Sequence, residues 1–429
     1  MADQLSVLVV GSGGREHALA LALHRDPGVA QVHVAPGNPG TAALGSLHPL
    51  DVLDAAQVAR LARDLAVDLV VVGPEAPLVA GVADAVRAAG IACFGPSGAA
   101  ARLEGSKAFA KEVMVAAGVP TGASASCRTP TEVDAALARF GPPYVVKDDG
   151  LAAGKGVLVT GDRAAAVAHA VACGQVVVEE FLDGPEVSLF SVTDGTTVRP
   201  LQPAQDFKRV GDGDSGPNTG GMGAYTPLPW APTDLVDEVT RTVLQPTVDE
   251  MARRGTPFAG LLYAGLALTA TGVRVIEFNA RFGDPETQAL LARLETPLSG
   301  LLLAAANGTL AEHPPLSWSE ESAVAVVLAS EGYPGTPVTG GVLAGLEEAA
   351  SRGVEVIHAG TALDASGAVV SAGGRVLAVV GTGADLAAAR SVAYDGIAQI
   401  ALPGSFYRHD IAAAAAESER IEAAAGARR

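Results

Sequence analysis

The sequence predicts a multidomain chain of α/β and α+β character, with a doubly wound parallel sheet first, a two-part central unit next and a mixed α/β domain last. Three observations carry this reading. Over residues 1 to about 100, short apolar runs that end in glycine turns alternate with helical stretches. From about Ser322 such alternation resumes after a long interval of different character. The 429 residues also exceed one ordinary core, since roughly 100 to 200 residues make a domain.

Leu5 to Val10 is the first strand, and Gly11-Ser12-Gly13-Gly14 turns it into a helix over Glu16 to His24. Val32 to Ala35, Asp68 to Val72 and Ile91 to Phe94 repeat the strand pattern. A helix is expected from Glu104 to Ala117, stopped by Gly118-Val119-Pro120. Short strands follow at Tyr144 to Lys147, Gly156 to Thr160 and Val176 to Glu180. Residues 205 to 227 are so rich in glycine and proline that they read as one long loop, and long loops inside compact domains are usually functional. Leu261 to Ala280 reads as two strands joined at Thr271-Gly272, with a helix from Pro285. The last hundred residues give strands at Ala323 to Leu328, Val354 to His358 and Arg375 to Val380, a helix near Ala384 to Ile400, and an alanine-rich end from Ala412 that is expected to fray.

An apolar fraction of 49% with 18% charged residues is that of a folded globular chain. A formal net charge of −18 argues against nucleic-acid and anionic-membrane partners, which need a broad positive surface. No apolar run approaches the ~18 residues of a membrane helix, and Asp3 interrupts the N-terminus where a signal peptide would be basic, so a cytoplasmic protein is expected. Cys93, Cys127 and Cys173 are odd in number and far apart, which disfavours disulfides and a zinc site. Only five basic residues are lysine: Lys107, Lys111, Lys147, Lys155 and Lys208. In a chain so biased toward arginine, retained lysines mark places that want a compact ammonium.

Gly11-Ser12-Gly13-Gly14-Arg15-Glu16 is close to a dinucleotide fingerprint, but Glu16 stands in place of the third glycine and no acidic residue ends the second strand. Nicotinamide binding is disfavoured, and an anion site at a helix N-terminus remains. Pro36-Gly37-Asn38-Pro39-Gly40-Thr41 and Glu75 follow the next strands at the same carboxyl edge, so these loops form one crevice. Lys147 ends a strand and runs into the glycine-punctuated loop Asp148 to Gly156, which carries Gly154 and Lys155 and can close over phosphates. Glu179, Glu180, Phe181 and Leu182 end another strand in a polar hinge suited to an adenine, with Glu186 placed to reach a ribose. In Glu277-Phe278-Asn279-Ala280-Arg281, strand alternation puts an acid, an amide and a guanidinium on one face and Phe278 on the other. Glu277 and Asn279 offer hard oxygen ligands for magnesium, and Arg281 suits a carboxylate or a phosphoryl group.

With these motifs assembled, the chain resembles the glycinamide ribonucleotide synthetase (phosphoribosylamine-glycine ligase) family of ATP-grasp enzymes. Its most specific pieces are Leu103 to Lys107, the Lys147 to Gly156 loop, Pro217 to Gly223 and Glu277 to Glu286. The resemblance implies an N-terminal substrate domain over 1–103, an ATP-grasp domain over 104–121 and 191–321, its lid over 122–190 and a C-terminal domain over 322–429. It implies ATP contacts from Lys107, Lys147, Gly154, Lys155, Gly156, Glu179, Glu180, Phe181, Leu182 and Glu186. Glu277 and Asn279 would bind Mg2+ (or Mn2+). Glycine and 5-phosphoribosylamine would be held by Gly13, Gly14, Arg15, Glu16, Asn38, Gly40, Thr41, Glu75, Asp212, Asn218, Thr219, Gly220 and Arg281. Arg281, Lys147 and Lys155 would neutralise charge during phosphoryl transfer. A monomer acting on small molecules is expected. The chain departs from the family pattern at Asp148 and Phe207, where alanine and histidine are usual.

Overall fold

The computed structural model describes residues 4–151 and 156–426. Five parallel strands open the chain, in the spatial order Ser46–Leu47, Val29–Pro36, Leu5–Gly11, Leu69–Val72, Ala92–Phe94. Val7, Leu8, Val9 and Val10 are all fully buried, as befits a strand covered on both faces. The order reverses beside Leu5–Gly11, so the ligand crevice of a doubly wound sheet opens at the ends of Leu5–Gly11 and Leu69–Val72.

The helix expected from Glu104 is two helices, Gly98–Gly105 and Lys107–Ala117, broken at Ser106. Ser106 has extended backbone, and its hydroxyl accepts the Phe109 N–H at 3.2 Å, which caps the second helix. Lys107 is therefore a first-turn residue facing a loop rather than a mid-helix residue.

Four antiparallel strands, in the order Val198–Pro200, Glu186–Asp194, Ala259–Thr269, Gly272–Asn279, form the central sheet. A smaller antiparallel sheet, ordered Ser124–Cys127, Val176–Glu179, Tyr144–Asp148, Val157–Thr160, stands over it. Val146 and Val178 face the small sheet's own core with Leu137 and Ala166, while Val145 and Lys147 point to the opposite side. This is the alternation read from the sequence.

Residues 205 to 227 are not one loop. Gln205–Asp206 and Gly223–Thr226 are strands of a five-stranded sheet, and Arg209–Gly211 pairs with Ser215–Asn218 as a hairpin between them. The other three strands of that sheet, Ser322–Ala329, Arg375–Gly383 and Glu355–His358, come from the last hundred residues. The partner that makes Gly223–Thr226 a strand lies about a hundred residues away in sequence, so local composition could not reveal it. The alanine-rich end forms the helix Ala413–Gly426, and Ile411, Ala412, Ala415 and Ala416 are buried, so its beginning is anchored rather than frayed. Among the described residues no helix is long and apolar enough to cross a membrane.

Candidate active site

A cavity of about 420 Å³ lies where the three larger sheets and the small sheet converge. Of the residues singled out in the sequence, Arg15, Glu75, Lys107, Lys147, Gly156, Glu179, Glu180, Phe181, Leu182, Glu186, Asn218, Thr219, Gly220, Glu277, Asn279 and Arg281 all line it. Gly154 and Lys155 lie outside the described residues.

The strand Gly272–Asn279 delivers Glu277 and Asn279 to the cavity and buries Phe278 in the core. Arg281 falls just beyond the strand's end, yet its guanidinium turns back to the same space. It donates to the Asn279 amide oxygen at 3.3 Å and pairs with Glu75 at 3.4 Å and Glu104 at 3.2 Å. Burial alone would lower the Arg281 pKa, but Glu104 and Glu75 hold it above the usual arginine value, so the group stays charged. Burial likewise works against ionised Glu277, but Lys208, Lys147, Lys107 and Arg281 outweigh it and hold the carboxyl below its usual range. In so acidic a chain, Lys107, Lys111, Lys147 and Lys208 thus all gather at this cavity, beside the carboxylates that surround them.

Three lysines approach from the central helix and the small sheet. Lys107 donates to the Gly150 carbonyl at 2.9 Å, and Lys147 to the Ile276 carbonyl at 2.9 Å. Lys147 and Lys111 both pair with Glu179 Oε2, at 3.0 and 3.1 Å. Asp149 ties the start of the lysine loop to the helix beneath it: its carboxylate accepts from the Ser106 hydroxyl at 3.0 Å, the Ala108 N–H at 3.0 Å and the Gln175 amide at 2.7 Å.

The first glycine turn proves to be made for a carboxylate of the chain itself. Glu16 is 2% exposed, its Oε2 accepts the Gly13 N–H at 2.6 Å, and its Oε1 accepts from Arg15 at 2.6 Å. A Cβ on Gly73 would lie 2.1 Å from Glu16 Oε1, and one on Gly11 2.5 Å from Glu16 Cγ. These glycines are needed because the Glu16 side chain fills the space between them. The amide expected to greet an external anion is already taken. Gly13, Gly14 and Glu16 do not line the cavity, whereas Arg15 does.

Asn38, Gly40 and Thr41 also stand back from the cavity. Asn38 accepts from the Gly40 and Thr41 N–H groups at 3.0 and 3.1 Å and donates to the carbonyls of Ser12 and His358 at 2.9 and 3.0 Å. Here the first domain meets the last: His358 donates its N–H to His17 Nδ1 at 2.8 Å, and burial drives the two imidazoles down to about 4 and about 3. Asp212 accepts from the His409 N–H at 2.8 Å, away from the cavity.

Several lining residues escaped the sequence reading. Glu104 receives the Ala280 N–H at 2.7 Å, and burial pushes its carboxyl up against the pull of Arg281. Glu286 receives Tyr263 at 2.8 Å and Ser188 at 3.3 Å. Burial, with Glu286 and Glu186 nearby, drives Asp206 up to about 7 against the pull of Lys208, which itself pairs with Glu186 at 2.6 Å. Arg375 arrives from the last domain, donating to the carbonyls of Gly220 and Asp284 at 2.6 Å each and pairing with the Asp284 carboxylate at 3.0 Å. The membership of Glu104 and Glu286 in two of the most specific motifs was the one available signal; nothing local marked Arg375.

The two departures from the family pattern leave these contacts intact. Asp148 follows Lys147 on the strand and so lies on its other side, where its charge adds to burial in raising the Cys173 thiol. Phe207 packs on Tyr225, with ring centroids 6.1 Å apart, and beneath the Arg408 guanidinium at 4.8 Å.

Glu277 and Asn279 supply one carboxylate and one amide oxygen. That donor set fits a small hard divalent cation that takes its remaining ligands from water and phosphate oxygens. A small antiparallel sheet closing over a larger one, with lysines above and an acid–amide pair below, is the arrangement of an ATP-grasp ligase, a class that binds ATP with a divalent metal.

Family models match most of the chain. The phosphoribosylglycinamide synthetase N domain matches residues 5–104, its ATP-grasp (A) domain 105–287 and its C domain 323–414. The chain belongs to the phosphoribosylglycinamide synthetase family. It is 68% identical to the phosphoribosylamine–glycine ligase of Streptomyces coelicolor over 96% of this chain and 100% of that one. It is 58% identical to the Mycobacterium tuberculosis enzyme of the same name over 97% and 99%. The crystal structure of the Thermotoga maritima phosphoribosylamine–glycine ligase superposes with a TM-score of 0.83 at 33% identity, covering 95% of this chain and all of that one.

Proposed function

We propose that the protein joins glycine to 5-phosphoribosylamine at the expense of ATP, releasing glycinamide ribonucleotide, ADP and phosphate in purine biosynthesis. The observation that carries this reading is that Glu277, Asn279 and Arg281 share one cavity with Lys107 and Lys147. In the first step a glycine carboxylate oxygen attacks the γ-phosphorus of ATP, the bond to the β–γ bridging oxygen breaks, and ADP leaves. In the second, the amine of phosphoribosylamine attacks the acyl carbon of glycyl phosphate, inorganic phosphate departs, and the amine gives up a proton.

Such a reaction asks for positioning and charge neutralisation rather than an acid–base triad. Lys107 and Lys147 take the phosphates, joined by Gly154 and Lys155 of the glycine-punctuated sequence that follows Lys147. Glu179 to Leu182 receive the adenine, and Glu186 the ribose. Arg281 holds the reacting carboxylate and steadies the transferring phosphoryl group. Arg15, Glu75, Asn218, Thr219 and Gly220 bind the glycine and the ribotide. Glu277 and Asn279 would hold Mg2+ or Mn2+, which supplies charge neutralisation on the triphosphate.

On this reading 1–103 serve the ribotide, 122–190 form the lid over 104–121 and 191–321, and 322–429 back the site through Arg375. The net charge of −18 suits a cytoplasmic, monomeric enzyme with small-molecule partners alone.

The test is ADP release from purified protein given ATP, a divalent metal and phosphoribosylamine generated in place from ribose 5-phosphate and ammonia. ADP should appear only with glycine. Release that instead follows bicarbonate or formate, each with its own ribotide acceptor, overturns the assignment.

A further inference from the structure

Two of the chain's five lysines, Lys111 and Lys208, have no part in the reaction above, and Lys111 is the one that touches the adenine hinge. Lys111 is 6% exposed and lies one turn after Lys107, so the two ammonium groups leave the helix Lys107–Ala117 on the same side. It donates to Thr121 Oγ1 at 2.8 Å and the Gly122 carbonyl at 3.4 Å, and it pairs with Glu179 Oε2 at 3.1 Å. Thr121 is itself fixed, donating to the Val275 carbonyl at 2.6 Å. Lys147 reaches the same Glu179 oxygen at 3.0 Å from the strand Tyr144–Asp148. Among the described residues no donor reaches the other oxygen, Oε1, and Glu179 lines the cavity beside Glu180, Phe181 and Leu182.

We infer that Lys111 is a positioning residue for purine selection: together with Lys147 it pins one oxygen of Glu179 and leaves the other to meet the 6-position of the base. This rests on the adenine reading of Glu179 given above. Adenine presents an amino donor at that position, which a carboxylate oxygen accepts. Guanine presents a carbonyl oxygen there, which the same carboxylate repels. The discrimination requires Glu179 to be fixed in rotation. Two ammonium groups on a single oxygen secure this, whereas one alone leaves the carboxylate free to turn.

The experiment compares kcat/KM for ATP and GTP in the wild type, Lys111→Met, Lys111→Arg and Glu179→Gln, with glycine and phosphoribosylamine saturating. Lys111→Met should lower the ATP/GTP preference by about tenfold or more, the scale of one misplaced hydrogen bond to a charged group, chiefly through KM for ATP. Lys111→Arg, which keeps a cation beside Glu179, should recover part of the preference and serves if the methionine variant does not fold. A preference that shifts in Glu179→Gln but stays unchanged in both Lys111 variants overturns the role of Lys111 alone. A preference unchanged in Glu179→Gln overturns the adenine reading and this inference with it.

Discussion

Two places in the molecule carry glycine-punctuated or charged motifs that suggest anion chemistry, and they turn out opposite. At the first turn, Gly13 and Gly14 open a helix, but Glu16 folds back, caps the Gly13 N–H and fills the gap between Gly11 and Gly73. At the strand ending in Asn279, the charged groups face outward into a cavity held open by Lys107, Lys147 and Arg281. Both hold carboxylates beside cations, Glu16 buried and Glu277 half-buried. At Glu16 the charges satisfy one another and build structure; at Glu277 the surrounding lysines belong to other elements and leave oxygens free for a ligand.

The largest effect should separate these two carboxylates. Glu277→Ala is expected to lower turnover by about a thousandfold or more while the circular dichroism spectrum and unfolding temperature stay near wild type, because the proposed metal ligand is lost without a structural contact. A near-normal rate would mean the metal lies elsewhere. Arg281→Gln should cost roughly a hundredfold in kcat, read in the same glycine-dependent assay, since it keeps hydrogen-bonding groups near Glu75 and Glu104 but removes the charge.

Glu16→Ala should behave in the contrary way, losing about 3 kcal/mol of stability in urea unfolding because the buried Arg15 loses its nearest carboxylate and keeps only Glu75, at 3.9 Å. Its turnover at saturating substrates should fall far less than that of Glu277→Ala. If stability is unchanged, the turn does not depend on this carboxylate and the contrast fails.

The smallest effect concerns pH. His17 and His358 are neutral in the folded protein, with values near 3 and 4. In the unfolded chain both would bind protons below about 6.5. Stability should therefore be fully present above that pH and decline as pH falls toward 4, by up to roughly 1.4 kcal/mol per unit for each imidazole. Unfolding midpoints measured between pH 7 and pH 5 should show a shallower decline in His358→Asn than in the wild type; equal slopes would remove the pair from the account.

The legible parts of the sequence were those in which neighbours in the chain are also neighbours in space. Strand alternation at Tyr144 to Lys147 and at Glu277 to Asn279 set which side chains share a face, and the apolar runs at Val7 to Val10 and Leu69 to Val72 set the first sheet. What stayed hidden depends on distant partners. Glu104 matters because Arg281 reaches it from 177 residues further along, and Arg375 because Gly220 and Asp284 come to it from two other stretches. Gly13 shows a different limit, since no local rule reveals that its N–H is already taken by a side chain three residues on. The stretch 205 to 227 was misread because its glycines and prolines obscure two- to four-residue strands, and because the one that anchors them to a larger sheet, Gly223–Thr226, finds its second partner in Ser322–Ala329.

That last arrangement bears on how the chain can be cut. Because Gly223–Thr226 is flanked on one side by Gln205–Asp206 and on the other by Ser322–Ala329, a shortened polypeptide ending near residue 321 would keep two strands of a five-stranded sheet and lose the other three. Their bare amide and carbonyl edge would be open to pairing with other copies. Expression of such a fragment should yield insoluble material, and the terminal segment supplied separately would have to dock before the lid and its base could work as an independent nucleotide-binding piece.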